Sequence, residues 1–256
     1  MDLSTILGMI LAVTSISVGD IMEGGNPLHI LHITSILIVI PTALFSAMTG
    51  TNSKYIKAAW KEVKMVFASS PVNLPEKIKL LVEFSTIARK DGVLGLESRV
   101  AQLDDDFMRE ALSKIIDGMD AHTVKEDMEV QIEQIEEYYH GAGHYWILAG
   151  ESCPVFGLVG AVMGLMLALQ LLDNPAKMAA GIAGAFTATV TGIMGAYAIF
   201  GPWGNKMIAK SKDIVKEKTM ILEGVVGIAN GDNPRNLEAK LFGFLDPSQP
   251  KISQFS

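Results

Sequence analysis

The sequence has one cysteine, Cys153, which excludes an internal disulfide and a multi-cysteine metal site and leaves a small packed side chain as the expected role. It contains no G-x-x-x-x-G-K-[ST] phosphate loop, no G-x-S-x-G elbow and no H-E-x-x-H pair, so nothing supports an ATPase or a hydrolase. Charge is scarce: 19% of the residues are Asp, Glu, Lys or Arg, below the usual share for a soluble domain. The net charge of −7 argues against a nucleic-acid surface, and no nucleic-acid partner is expected. No strand-like alternation persists, and there is no internal repeat or low-complexity tract.

Apolar residues are abundant instead, at 49% of the 256, and they fall in blocks: Leu3 to Val18, Leu28 to Met48, Trp146 to Leu172 and Met178 to Trp203. Within these blocks the only residue normally charged at neutral pH is Glu151, which is expected at the lipid headgroup level near the start of the third. The last three blocks are each long enough for the roughly twenty residues that cross a bilayer. The first is short, but it lacks the basic n-region and cleavage site of a signal peptide and is therefore read as a mature span. The expected fold is all-α, a polytopic membrane protein with four transmembrane helices and a helical cytoplasmic domain between spans 2 and 3. The expected segments are 1–48 (two spans and a short outer loop), 49–145 (cytoplasmic helices), 146–203 (two spans) and 204–256 (cytoplasmic helix and tail).

Orientation follows from the lysines and arginines, which are retained on the cytoplasmic side. Twelve of the 21 lie between Thr49 and Tyr145, eight lie after Trp203, and Lys177 stands apart. Both termini are therefore expected in the cytoplasm of an inner-membrane protein. Three-and-four spacing predicts amphipathic helices through Ile56, Ala59, Trp60, Val63 and Phe67, then Ile78, Leu81, Val82 and Ile87, then Leu112, Ile115, Ile116 and Met119. Breaks are expected at Ser70-Pro71, Leu74-Pro75 and Asp91-Gly92. A last acidic helix through Val124, Met128, Ile132 and Ile135 runs toward the third span and can form one rod with it. The segment after Gly231, with Pro234, Pro247 and Pro250, reads as a loosely ordered surface tail.

The middle of every span lacks an ionisable residue, so an ion path through this subunit needs a carboxylate from a partner. Gly157, Gly160, Ala161 and Gly164 in the third span and Gly184, Ala188, Gly192 and Ala196 in the fourth place small residues three or four apart. That spacing suits either an assembly surface or ordinary packing inside one chain. Pro154, Thr189 and Pro202 interrupt it. A proline frees a carbonyl one turn earlier, which in lipid must find water or a partner, although a plain kink, or for Pro202 a helix end, explains it equally. Thr189 is the deepest hydroxyl among small residues, and most such threonines only bond the carbonyl a turn back. His140 and His144 are four apart but no third metal ligand is evident; with His29 and His32 they read as interfacial.

The run Glu151-Ser152-Cys153-Pro154-Val155-Phe156-Gly157-Leu158-Val159-Gly160-Ala161-Val162-Met163-Gly164 resembles the third-span signature of the MotA family of flagellar motor stator proteins, within the MotA/TolQ/ExbB proton channel group. Thr189 to Trp203 resembles the fourth span, and Ala88 to Glu97 a cytoplasmic segment. The resemblance covers nearly the whole chain. It implies a non-enzymatic stator in which five copies surround two copies of a MotB-like partner carrying the ion-accepting aspartate. Ion flow then drives torque on the rotor through contact with FliG. It further implies that Pro154, Thr189 and Pro202 lie on the ion path or its coupling and that Arg89 and Glu97 engage FliG; without the resemblance those two read as a solvated helix face. No cofactor is implied. Sodium-driven relatives tend to carry threonine where this chain has Ala161, which points to the proton as coupling ion, and Phe186 could narrow the path a turn before Thr189. The alternatives are a TolQ-like or ExbB-like energiser of outer-membrane work, against which four spans would argue, and a self-contained ion channel. A membrane-embedded enzyme finds no paired carboxylates or nucleophile with base to support it.

Overall fold

The computed structural model describes residues 2–30, 32–69 and 72–255, apart from the side chains of His29 and Ile30. The expected break at Ser70-Pro71 and the interfacial placement of His29 lie outside the described residues. Every regular element among them is helical. The chain divides into two compact units, Met1–Ser70 with Tyr138–Lys210, and Pro71–Glu137 with Ser211–Ser256.

In the first unit, α1 (Leu3–Met22) is capped by Asp2, whose carboxylate accepts from the Thr5 amide. It buries no residue of its own, and Leu7, Ile10, Leu11 and Ile21 all stand exposed. An apolar helix of this kind is built for lipid. α2 (Ile33–Thr49) contains Pro41. α3 (Ser53–Glu62) and α4 (Lys64–Phe67) follow. α8 (Ala121–Leu169) is one continuous helix of 49 residues that passes through Pro154. α9 (Pro175–Met194) leads through a π-helix (Gly195–Phe200) into α10 (Gly201–Ala229).

Among the described residues three helices, not four, are long and apolar enough to span: Leu3–Met22, Ala121–Leu169 and the run Pro175–Ala229. The expectation of four spans fails at the second block. Its first residues are spent on a 3-10 turn (Pro27–Ile30) and on His32 as N-cap, so the helix proper has 17 residues. At 1.5 Å per residue that is about 25 Å, short of the roughly 30 Å of hydrocarbon.

The core of the first unit centres on Trp146, whose indole N–H donates to the Ala59 carbonyl at 3.3 Å. Trp60, Phe200 and Trp203 surround its ring at centroid distances of 4.9, 5.8 and 5.3 Å. Tyr145 beside it donates to the Leu44 carbonyl at 3.4 Å.

The second unit holds α5 (Leu74–Asp91), α6 (Glu97–Val100), α7 (Asp106–Ile116) and α11 (Pro234–Leu241) with the flanking parts of α8 and α10. Pro75 sits at the start of α5, where a missing N–H costs nothing, so the expected break at Leu74-Pro75 is where this helix begins. Gly92 ends α5 at φ 78°, a conformation that favours glycine. The predicted apolar stripes meet here: Ile78, Leu81, Val82, Leu112, Ile115, Val124, Met128 and Ile132 are all buried.

The tail is ordered, contrary to expectation. Asn233 caps α11 and Leu237, Leu241 and Leu245 join the core. The buried carboxylate of Glu238 then accepts from the Ser253 hydroxyl at 2.6 Å and the Gln254 amide at 2.8 Å. Pro234 starts α11 and Pro247 lies in a turn, so neither loosens the segment.

Asp105 ties the second unit together, accepting from Lys77 at 2.7 Å, Lys218 at 3.1 Å and the Met108 amide at 3.1 Å. Burial pushes its carboxyl up, but Lys77, the Met108 amide and Lys218 outweigh it and hold the pKa at about 2. A pKa depressed on folding contributes stability above the unfolded value near 4, lost as pH falls toward about 2. Amide protection in α7, followed by hydrogen exchange, should therefore weaken over that window by on the order of 2 kcal/mol. Asp105→Asn should flatten the dependence.

Candidate functional site

Pro154 cannot donate to the Gly150 carbonyl, nor Pro202 to that of Ala198, because neither has an N–H. At Pro154 α8 simply continues. Before Pro202 the chain shifts register: the Gly201 amide reaches back to the Ala196 carbonyl, five residues away, and forms the π-helix. Pro202 therefore does not end a helix but sits at the second position of α10.

The two prolines share one groove of about 580 Å³, lined also by Gly150, Glu151, Tyr197 and Asn205. Gly150, whose carbonyl Pro154 frees, is part of its wall. Glu151 stands exposed in it, and Leu169, the last residue of α8, lies about 27 Å along the helix from Glu151. That distance matches a carboxylate at one lipid interface.

Thr189, Phe186 and Ala161 do not line this groove. The Thr189 hydroxyl donates to the Ala185 carbonyl at 3.3 Å, the local bond that membrane threonines commonly make. Its Cα stands 3.5 Å from where a Cβ on Gly157 would be, about one turn along α8 from Pro154. Phe186 is 69% exposed and Ala161 is half-buried.

The small residues pack α8 onto α9 within the chain. A Cβ on Gly157 would stand 2.9 Å from the Ala188 carbonyl oxygen, and one on Gly192 would stand 2.7 Å from that of Cys153. Cys153 is buried in the same contact. At Gly157, Gly160, Gly164 and Gly192 the internal reading of the ridge holds, whereas a Cβ on Gly184 would meet only the His32 ring, at 3.7 Å. The outward surface is a different stripe, Phe186, Val190, Ile193 and Tyr197, and on α8 Val155, Leu158, Val159 and Val162 are exposed as well. Sequence reasoning passed over Tyr197. The signal was available in the three-and-four spacing from Phe186, which predicts one helix face.

In the second unit, Arg89 and Glu97 are both exposed, on α5 and at the start of α6, with Leu94 between them 68% exposed. Neither forms an ion pair among the described residues, whereas nearby Arg99 pairs with Glu83. His140 and His144 stack at 6.3 Å, and no group of three or more His, Cys, Asp or Glu is positioned for a metal among the described residues.

A model of the MotA/TolQ/ExbB proton channel family matches residues 99–220. Motility protein A of Helicobacter pylori (strain ATCC 700392 / 26695) is 68% identical over 255 residues, covering 100% of this chain and 99% of that protein. Among solved structures, that of C. jejuni MotAB superposes with a TM-score of 0.96 at 61% identity, covering 100% of both chains. The flagellar MotAB stator complex from Bacillus subtilis superposes with a TM-score of 0.88 at 30% identity, covering 96% of both.

Proposed function

From the premise that this chain belongs to the MotA/TolQ/ExbB proton channel family, we propose how its two units divide the work of a flagellar stator. The stator function is carried by full-length similarity to a Motility protein A and to MotAB complexes, and the chain is a multi-pass inner-membrane protein, not an enzyme. That similarity also favours the stator over a TolQ-like or ExbB-like energiser, a distinction that span count does not supply. The same comparison supports a MotB-like partner.

The coupling ion is the proton, passed by a carboxylate of that partner, because the spans supply none at depth. The partner's helix lies along Phe186, Val190, Ile193 and Tyr197, and the ion passes near Thr189, Ala161 and the carbonyls that Pro154 and Pro202 free. Segments 146–203 line this path, and segment 49–145 turns to the rotor, with Arg89 and Glu97 pairing with opposite charges on FliG. Five copies around two partner chains complete the assembly. Asp2 sits beside Lys206 and Lys210, which supports placing the start of α1, like the basic 204–256 segment, on the cytoplasmic side.

The observation that carries the ion path is the groove shared by Pro154, Pro202 and Glu151. Proton flux into vesicles tests it, with this chain alone, with an unplugged MotB-like partner, and with that partner's aspartate changed to asparagine. Flux is expected only with the intact aspartate; equal flux from this chain alone would make it a self-contained channel and end the proposal.

A further inference from the structure

A second groove, of about 580 Å³, opens between α2, α8 and α9. Its lining is largely apolar, with Ile38, Met163 and Leu167, and includes His32, the N-cap of α2, and Lys177, in the first turn of α9. Lys177 is the one basic residue outside the two Lys/Arg-rich stretches, and its ammonium makes no ion pair among the described residues. Its backbone amide is held by the Asn174 side chain at 3.2 Å, which fixes its place at the start of α9. His32 Nδ1 lies 2.8 Å from the Thr34 hydroxyl. When that hydroxyl donates, the ring hydrogen is on Nε2 and free to give to an acceptor. A groove at membrane depth must be filled by something apolar, and this one ends in a cation and a donor.

We propose that the groove holds one anionic phospholipid, an acyl chain on Ile38, Met163 and Leu167 and the headgroup phosphate at Lys177 and His32. The site is separate from the Pro154–Pro202 groove and holds for either orientation of the chain in the membrane. An apolar stem with a phosphate matches both halves of the groove, whereas a second copy of the chain would leave Lys177 without an obligatory anion.

The test is native mass spectrometry of the full chain with its partner in detergent, titrated with phosphatidylglycerol, phosphatidylcholine or soluble glycerol phosphate. Phosphatidylglycerol should be retained in preference. Lys177→Gln should lower its retention about fivefold while leaving phosphatidylcholine unchanged, and Lys177→Arg should preserve it. Ala180→Phe, on the groove wall, should lower retention of both lipids. Unchanged phosphatidylglycerol binding in Lys177→Gln overturns the proposal, as does competition by glycerol phosphate alone. Efficient cross-linking between copies through Ala180→Cys in native membranes would assign the groove to a second copy instead.

Discussion

Gly192→Val should abolish motility and lower the melting midpoint of the stator complex more than any change on the exposed stripe. A Cβ at 192 meets backbone, not a flexible side chain: the Cys153 carbonyl oxygen at 2.7 Å, the Gly157 Cα at 3.1 Å and the Pro154 Cα at 3.2 Å. Relief requires α9 to move away from α8, because helix backbone cannot rotate aside as a side chain can. The cost is about 3 kcal/mol or more, the upper range for overpacking. The displacement would also open the space between Pro154 and Pro202, which lie on the two sides of this contact. Phe186→Ala supplies the contrast: its ring is exposed in the chain and faces only the proposed partner helix, so its loss should lower the midpoint less than Gly192→Val does. A Gly192→Val complex that melts and swims like the parent would show that the two backbones do not approach this closely.

Gly192 also marks where the sequence could be read and where it could not. Spacing identified the small-residue ridge, but spacing is the same for a helix neighbour in the same chain and for one in another copy. Only the contacts with Gly157 and Ala188 decide between them. The amphipathic stripes of the second unit were legible because one face of each helix meets a single core, which leaves a three-and-four period. The second apolar block misled because hydropathy counts residues and not helix: Leu28 and its neighbours are apolar yet belong to a 3-10 turn, and His32 starts the helix late. Pro202 was open between a kink beside a wet path, a plain kink and a helix end, and the π-register ahead of it, which lets the helix continue, removes only the last. The tail was misread because proline content suggests disorder, whereas Glu238, a single buried acceptor, anchors the segment. The aromatic cluster at Trp146 and the contacts of Lys210 join residues far apart in sequence, and no local pattern announces such pairs.

Lys210→Met should therefore be the most damaging substitution outside the helix contact, although nothing in the sequence distinguishes Lys210 from Lys206 or Lys212. Its ammonium is buried, donates to the carbonyls of Met65 at 2.8 Å, Val66 at 3.3 Å and Ala68, and pairs with Asp2 at 3.1 Å. Two of those carbonyls belong to the last turn of α4, where helix geometry leaves acceptors without donors. Asp2 in turn pairs with Lys206 at 2.8 Å, and its amide donates to the Phe67 carbonyl at 2.8 Å, so one lysine links the start of α1, the end of α4 and α10. Lys206, the Ser4 hydroxyl and Lys210 hold the Asp2 carboxyl well below the usual carboxylate range, so the link stays ionised at physiological pH. Methionine matches the stem of lysine but strands buried acceptors, a loss on the order of 3–5 kcal/mol. Arginine should rescue only in part, because a planar fork cannot converge on carbonyls arranged around a point donor. Asp2→Asn should be milder, since the carbonyls keep their ammonium. Thermal melting of the complex ranks the variants, and proteolysis near Asp2 reports release of α1. If Lys210→Met and Asp2→Asn melted alike, the ammonium would be acting through the ion pair alone, and the carbonyl cage would contribute nothing.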